Sequence, residues 1–262
     1  MKNRSVIIET TNRCNFNCSF CMVGEECGKE IIDFEQLIKW LKIKQKEYKL
    51  ERIVLSGGEP FLSGVENLKK ICREFPDTLV QIQTNGSQID KFIEFKEFQN
   101  VQFGTSFQFG EYRKDSKVYN EDRFNKFQEK YYKIFGKYCF FIYVLTNDNY
   151  DKKIIDKLAK LVRKYNVSFH LSATMKMHNA KNCYIEYWKL IDIFIYLLKK
   201  YPDVALKCQP IRTMIMNSIN HGSCPWISDC KDTQWHIGID GKVYPCTNHF
   251  DNRMVEIGSI YE

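Results

Sequence analysis

The 262 residues are 44% hydrophobic and 27% charged, enough for one globular core with a small appendage. Eleven cysteines would suit a disulfide-stapled secreted domain, but no charged-then-apolar leader precedes the first strand, and the longest clear apolar run, Cys139 to Leu145, falls far short of the roughly 20 residues that span a bilayer. A reducing cytoplasm and a metal-binding use for the cysteines are therefore expected, with no membrane or DNA partner; the net charge of +7, spread as lysines along helices without a clustered basic stretch, reads as a solvated face and is compatible with an acidic or phosphorylated substrate.

In chain order, a first strand at about 4–10, with the apolar run Val6-Ile7-Ile8, leads into Cys14-Asn-Phe-Asn-Cys18-Ser-Phe-Cys21. Structural zinc takes four ligands, usually as two separated pairs. Three thiolates in eight residues instead suit a 4Fe–4S cluster that keeps one iron open for chemistry. Behind the cap Asp33, Phe34, Leu37, Ile38 and Leu41 repeat at helical spacing. A strand at 51–56 then runs into Gly57-Gly58-Glu59-Pro60, where adjacent glycines permit close backbone approach and Pro60 ends the strand. A Gly-Gly-x-Pro alone is more often only a turn.

Further strands are predicted at 78–84, 100–106, 138–146 and 167–173. Helical stripes alternate with them: Val65, Leu68, Cys72 and Phe75; Phe124, Phe127, Tyr131 and Ile134; Ile154 to Tyr165; and Ile185, Trp188, Ile191 and Ile195. Every stripe is read as core packing. The strand ends carry Thr84-Asn85-Gly86, Gly104-Thr105-Ser106-Phe107-Gln108 and Thr146-Asn147-Asp148-Asn149, and the polar stretch His170 to His178 follows the last strand. Six strands with intervening helices predict an α/β fold with a parallel sheet and right-handed crossovers, too few units for a closed eight-fold barrel. No paired carboxylates or Ser-His-Asp arrangement favours hydrolysis.

From Cys208 the composition changes, with Cys224, Cys230 and Cys246 following, and 237–246 reads as a hairpin turning at Asp240-Gly241. A metal-free cap and a zinc knuckle are alternatives to an iron–sulfur site here. Cys72 and Cys139 read as buried core thiols.

Cys14-x3-Cys18-x2-Cys21, with Phe20 before the last cysteine and Gly57-Gly58-Glu59-Pro60 one helix and one strand later, resembles the radical S-adenosylmethionine (SAM) superfamily. The resemblance implies a partial (β/α)6, TIM-like barrel with its site at the carboxyl ends of the strands. It implies a 4Fe–4S cluster on Cys14, Cys18 and Cys21 whose open iron chelates SAM, and one-electron cleavage to a 5′-deoxyadenosyl radical that abstracts hydrogen from substrate. An external one-electron reductant of flavodoxin or ferredoxin type is implied as a partner. Phe20, Gly57, Gly58, Glu59, Pro60, Thr84, Asn85 and Ser106 stand at the family's SAM-contacting positions, although Gln108 stands where relatives carry aspartate. Cys230-x10-Gly241-x4-Cys246 is similar to the opening of SPASM and twitch extensions. That likeness implies division into a barrel at 1–203 and an extension at 204–262, with one auxiliary cluster on Cys224, Cys230 and Cys246. The fourth ligand is left among Cys208, His221, His249, Asp251 and none, with Cys208 preferred. A cavity thiol, Cys183 before Cys27, is the candidate hydrogen-atom donor. The expected substrate is a small metabolite or a peptide residue, undergoing oxidation, epimerisation or crosslinking. An iron–sulfur carrier or sensor without SAM chemistry, and an RNA-modifying radical enzyme, are the alternatives.

Overall fold

The computed structural model describes residues 2–21, 28–109, 113–114, 121–174, 183–219, 234–245 and 256–262. Two compact units emerge. One comprises Met1–Asn15, Glu26–Gly104 and Asp229–Glu262, the other Phe16–Glu25 and Thr105–Ser228. These do not coincide with a division at 203/204, because the C-terminal hairpin is a continuation of the first unit's sheet.

In the first unit, β1 (Lys2–Thr11) pairs in parallel with β3 (Tyr48–Gly57), and β3 with β4 (Leu79–Thr84). On its other side β1 pairs in parallel with β9 (Gln234–Ile237), which turns through Asp240-Gly241 into antiparallel β10 (Lys242–Tyr244) and then β11 (Gly258–Ser259). Gly241 takes φ +79°, the conformation that a tight Asp-Gly turn demands. The strand order is β11-β10-β9-β1-β3-β4-β5, with β5 (Val101–Phe107) entering the second unit after Gly104. Arg4 is buried with its guanidinium 4.7 Å from both the Tyr48 and Trp235 rings, a cation–π sandwich that binds β9 to β1 and β3.

Helix α1 (Phe34–Gln45) starts where expected, with Asp33 accepting from the Gln36 amide at 3.0 Å. Helix α2 (Val65–Glu74) follows β3 and buries Leu68, Ile71 and Cys72. Only a 3-10 turn, Ile89–Phe95, connects β4 to β5. Its Phe92 and Phe95 pack on Phe61 and Phe103 with ring centroids 4.1–5.9 Å apart.

The second unit holds the end of β5, then β7 (Phe140–Leu145) and β8 (Phe169–Ala173) in parallel, and a two-residue ribbon of β2 (Asn17–Cys18) with β6 (Arg113–Lys114). Helices α3 (Glu121–Phe135) and α4 (Lys152–Tyr165) supply the core stripes read from the sequence. Helix α5 (Tyr187–Lys200) does not follow its predicted stripe. Leu190, Ile193, Phe194 and Leu197 face the core, whereas Trp188, Ile191 and Ile195 are 59%, 52% and 45% exposed. The helix is apolar on most of its circumference, so spacing alone identified an apolar face without identifying the buried one. Two further helices, α6 (Pro202–Ala205) and α7 (Gln209–Ile219), complete this unit.

The chain has an α/β fold whose largely parallel sheet is not closed, as expected for a partial barrel. No helix among the described residues is long and apolar enough to cross a membrane.

Candidate active site

In the first unit the site is built where β1 and β3 end side by side, with Thr11 opposite Gly57. The Gly58 amide donates to the Thr11 carbonyl and the Glu59 amide to the Arg13 carbonyl, both at 2.7 Å. This close approach is what requires the glycine pair. A Cβ on Gly57 would lie 2.4 Å from the Thr11 oxygen, and one on Gly58 would lie 2.1 Å from the Arg13 oxygen. Gly57 also sits at φ +111°, a conformation other residues rarely adopt.

Glu59 turns its side chain inward and is fully buried. One carboxylate oxygen accepts from the Phe61 amide at 3.3 Å and the Thr84 hydroxyl at 2.8 Å. The other accepts from the Asn85 amide at 2.8 Å and lies 3.0 Å from the same hydroxyl. A carboxylate removed from water persists only when its lone pairs are satisfied, and these donors do so. Thr84 and Asn85 are therefore fixed from beneath, and Gly86 and Ser87 are drawn round them through the Thr84 hydroxyl at 3.1 Å and the Asn85 Oδ1 at 2.9 Å.

Asn85 then reaches back to the cysteine loop. Its Nδ2 donates to Asn15 Oδ1 at 2.8 Å and to Cys14 Sγ at 3.9 Å, and Asn15 in turn donates to the Ser87 hydroxyl at 2.9 Å. Three segments distant in sequence, 11–15, 57–59 and 84–87, are thereby joined by hydrogen bonds. Motif reading placed Glu59, Pro60, Thr84 and Asn85 in the site as ligand contacts. All four are buried, whereas Gly57 and Gly58 keep partly exposed backbone. The bracing role of Glu59, and the participation of Asn15 and Ser87, were missed; an acidic residue directly after a Gly-Gly strand end was the available signal.

A second buried pair was also missed. On neighbouring strands, His236 Nε2 lies 3.2 Å from Glu9 Oε1, and the Ile239 amide donates to Glu9 Oε2 at 3.3 Å.

In the second unit Cys18 lies on β2, and the Cys21 amide closes a turn onto the Cys18 carbonyl at 3.2 Å. Phe20 is 9% exposed and packs with Cys183, Cys18 and Val144. The Cys183 thiol, itself 6% exposed, donates to the Ser19 carbonyl at 3.5 Å, and burial pushes its pKa up. To deliver a hydrogen atom to a substrate, this thiol would first have to leave that contact. Ser106 is half-buried between the buried Thr105 and Phe107. Gln108, at the place of the family's aspartate, pairs its amide with both backbone groups of Val144, at 2.6 and 3.2 Å, and so extends the strand instead of facing a ligand. The Thr146–Asn149 turn forms as read, with Asn149 Oδ1 accepting from the Thr146 amide at 2.8 Å. His170 is half-buried, with Nδ1 3.3 Å from Gln209 Oε1, and burial lowers its pKa.

Cys14, Cys18 and Cys21 are in no disulfide, and each is partly exposed. Cys208, the preferred fourth auxiliary ligand, lies among the described residues. It is fully buried in the second unit's core, with its thiol pushed up to about 12 by burial, and belongs with Cys72 and Cys139 as a core thiol. Cys27, Cys224, Cys230 and Cys246, with His178, His221, His249 and Asp251, lie outside the described residues. Among the described residues no three His, Cys, Asp or Glu side chains gather as a single metal ion would need.

Comparison with known proteins gives this arrangement a family. The chain is 25% identical over 181 residues to a candidate glycyl-radical enzyme activating enzyme of Methanocaldococcus jannaschii, covering 66% of this chain and 68% of that protein. It is 29% identical over 93 residues to the GTP 3′,8-cyclase of Nautilia profundicola, covering 33% of this chain and 29% of the cyclase. In fold it is similar to Streptococcus suis SuiB bound to S-adenosylmethionine, with a TM-score of 0.74 at 14% identity, covering 100% of this chain and 64% of SuiB. It is likewise similar to anSMEcpe with bound AdoMet, with a TM-score of 0.76 at 18% identity, covering 99% of this chain and 78% of that one. The family model described as the radical SAM superfamily matches residues 8–159, more than half of the chain, and this protein belongs to that superfamily.

Proposed function

We propose that this protein is an enzyme that holds a 4Fe–4S cluster on Cys14, Cys18 and Cys21, binds SAM beside it, and removes a hydrogen atom from a peptide residue or small metabolite. When bound, the cluster and SAM supply a one-electron reductive cleavage that generates a 5′-deoxyadenosyl radical. The residues fit such a group. Three partly exposed thiols free of disulfides lie within eight residues, and an amide N–H is directed at the first of them. A cluster of four irons takes each thiolate on a separate iron, so it does not require the single-ion convergence that is absent here.

The hydrogen-bonded union of 11–15, 57–59 and 84–87 carries this reading, because it gives the Gly-Gly-Glu-Pro segment a structural tie to the cysteine loop. Glu59 and Pro60 are buried, so the partly exposed backbone of Gly57 and Gly58 is what this segment offers to SAM. Within the second unit, Phe20 and Cys183 are buried together with Cys18 and Val144 packed against them. Cys224, Cys230 and Cys246 are assigned to an auxiliary cluster on sequence spacing alone. A flavodoxin- or ferredoxin-type donor supplies the electron. SuiB bound to precursor peptide SuiA and anSMEcpe bound to a peptide have similar folds, so peptides are the first substrate class to screen.

The test is anaerobic incubation of reduced, cluster-loaded protein with SAM, followed by chromatography for 5′-deoxyadenosine. Formation of that product is expected; a fully loaded cluster that yields none overturns the proposal. Deuterium transfer from candidate substrates into 5′-deoxyadenosine then identifies the bond attacked.

A further inference from the structure

Asn85 was expected to contact SAM, yet its side chain is committed elsewhere. The residue is buried, and its backbone amide is held by Glu59 at 2.8 Å. Its Oδ1 accepts from the Ser87 amide at 2.9 Å, which fixes the side-chain torsion and determines which end of the amide is nitrogen. Nδ2 must then face the cysteine loop, where it meets Asn15 Oδ1 at 2.8 Å and Cys14 Sγ at 3.9 Å.

We propose that Asn85 is a redox-positioning residue whose amide N–H donates to the Cys14 thiolate and raises the reduction potential of the cluster held there. The inference rests on the assignment of Cys14 as a cluster ligand. Reduction adds negative charge to a cluster and its thiolates, and a donor aimed at a ligand sulfur favours the more negative state. The bracing explains how a weak, long contact can have this effect. Glu59 and Ser87 hold the amide in place before any cluster is bound, so no ordering cost falls on the contact itself. The donor, its anchor Glu59 and the partner segment 13–15 all lie in one compact unit.

The experiment is a dye-mediated redox titration of the cluster, followed by electron paramagnetic resonance, in the wild-type chain and in Asn85→Leu, Asn85→Asp and Ser87→Ala. Both Asn85 variants should move the midpoint to more negative values, with Asn85→Asp moving it further because it adds a charge. Ser87→Ala, which removes the Asn15–Ser87 bond but keeps the donor, should leave it near the wild-type value. A wild-type midpoint in both Asn85 variants, or an equal shift in Ser87→Ala, overturns the proposal. As a measurement independent of variants, the iron–thiolate stretches of the wild-type protein in resonance Raman spectra should shift after exchange into deuterium oxide; unshifted bands count against the donor. A wild-type chain that assembles no cluster would instead remove the cysteine assignment, so the two failures are distinguishable.

Discussion

The cysteine loop is held in two contrasting ways on either side of the Asn15–Phe16 bond. On the Cys14 side the contacts are polar and directional: a buried carboxylate, two 2.7 Å backbone bonds and an asparagine amide. On the Cys18–Cys21 side the contacts described include the apolar packing of Phe20 with Cys183, a thiol donating to one carbonyl and the turn closed by the Cys21 amide. Hydrogen bonds fix the orientation of a group, whereas apolar contacts fix chiefly how deeply it is buried. The difference teaches that directional bonds hold the Asn15, Asn85 and Ser87 surroundings of Cys14, whereas packing is the larger part of what holds Phe20 and Cys183.

The strongest way to break this comparison is to remove the thiols themselves. Replacing Cys14, Cys18 and Cys21 together with alanine should remove about four irons per chain and abolish 5′-deoxyadenosine formation. Iron analysis and product assay check both, and retained activity would mean the cluster sits elsewhere. Next comes the polar anchor. Glu59→Ala leaves the Thr84 hydroxyl and the Phe61 and Asn85 amides without their acceptor, and should cost about 3 kcal/mol in chemical denaturation. Glu59→Gln retains an acceptor oxygen and should cost roughly half as much. A Glu59→Ala variant as stable as wild type would show that the carboxylate is not the brace.

The apolar side should respond less. Cys183→Ala deletes a small buried group and should cost about 1 kcal/mol, with Cys183→Ser restoring the donor to Ser19 at the expense of a more polar atom. The same contrast should be visible in the metal-free chain at pH 8. Peptide mapping after brief alkylation should show Cys14, Cys18 and Cys21 modified well ahead of Cys183 and Cys208, whose thiols burial keeps protonated. Equal rates would show that Cys183 is not shut in.

The smallest effect lies away from the loop. Arg163 makes a two-pronged contact with Asp203 at 2.7 and 2.9 Å and holds that carboxyl at about 2, below its usual 3.8. A depressed carboxyl contributes stability above its unfolded pKa and loses it as pH falls through the folded one. Arg163→Ala should therefore lower Tm slightly at pH 7, with the difference shrinking between about pH 4 and 2; an unchanged gap at pH 2 would show that the ion pair is not its source.

Much of the fold could be read directly. The six alternating strands, the Asp33 cap and the Asp240-Gly241 turn all follow from local chemistry, in which a residue's neighbours in sequence are also its partners in space. Where partners are distant, reading failed. Nothing near Gln234–Ile237 announces that this strand lies beside β1, and nothing near Glu59 announces that its carboxylate turns down toward Thr84. Helix α5 failed for another reason: with apolar residues on most sides, its period permits more than one buried face. At the site, motif spacing nominated the residues, but which of them turn inward as braces depended on burial that no spacing encodes.

The pairing of β1 with β9 has a consequence for assembly. Glu9 and His236 are 227 residues apart in sequence yet in contact, so the strand that delivers the cysteine loop acquires its second neighbour only after residues 234–237 have been synthesised. Contacts of such long range close late and slowly. Until then β1 carries an open edge on the side that β9 later covers.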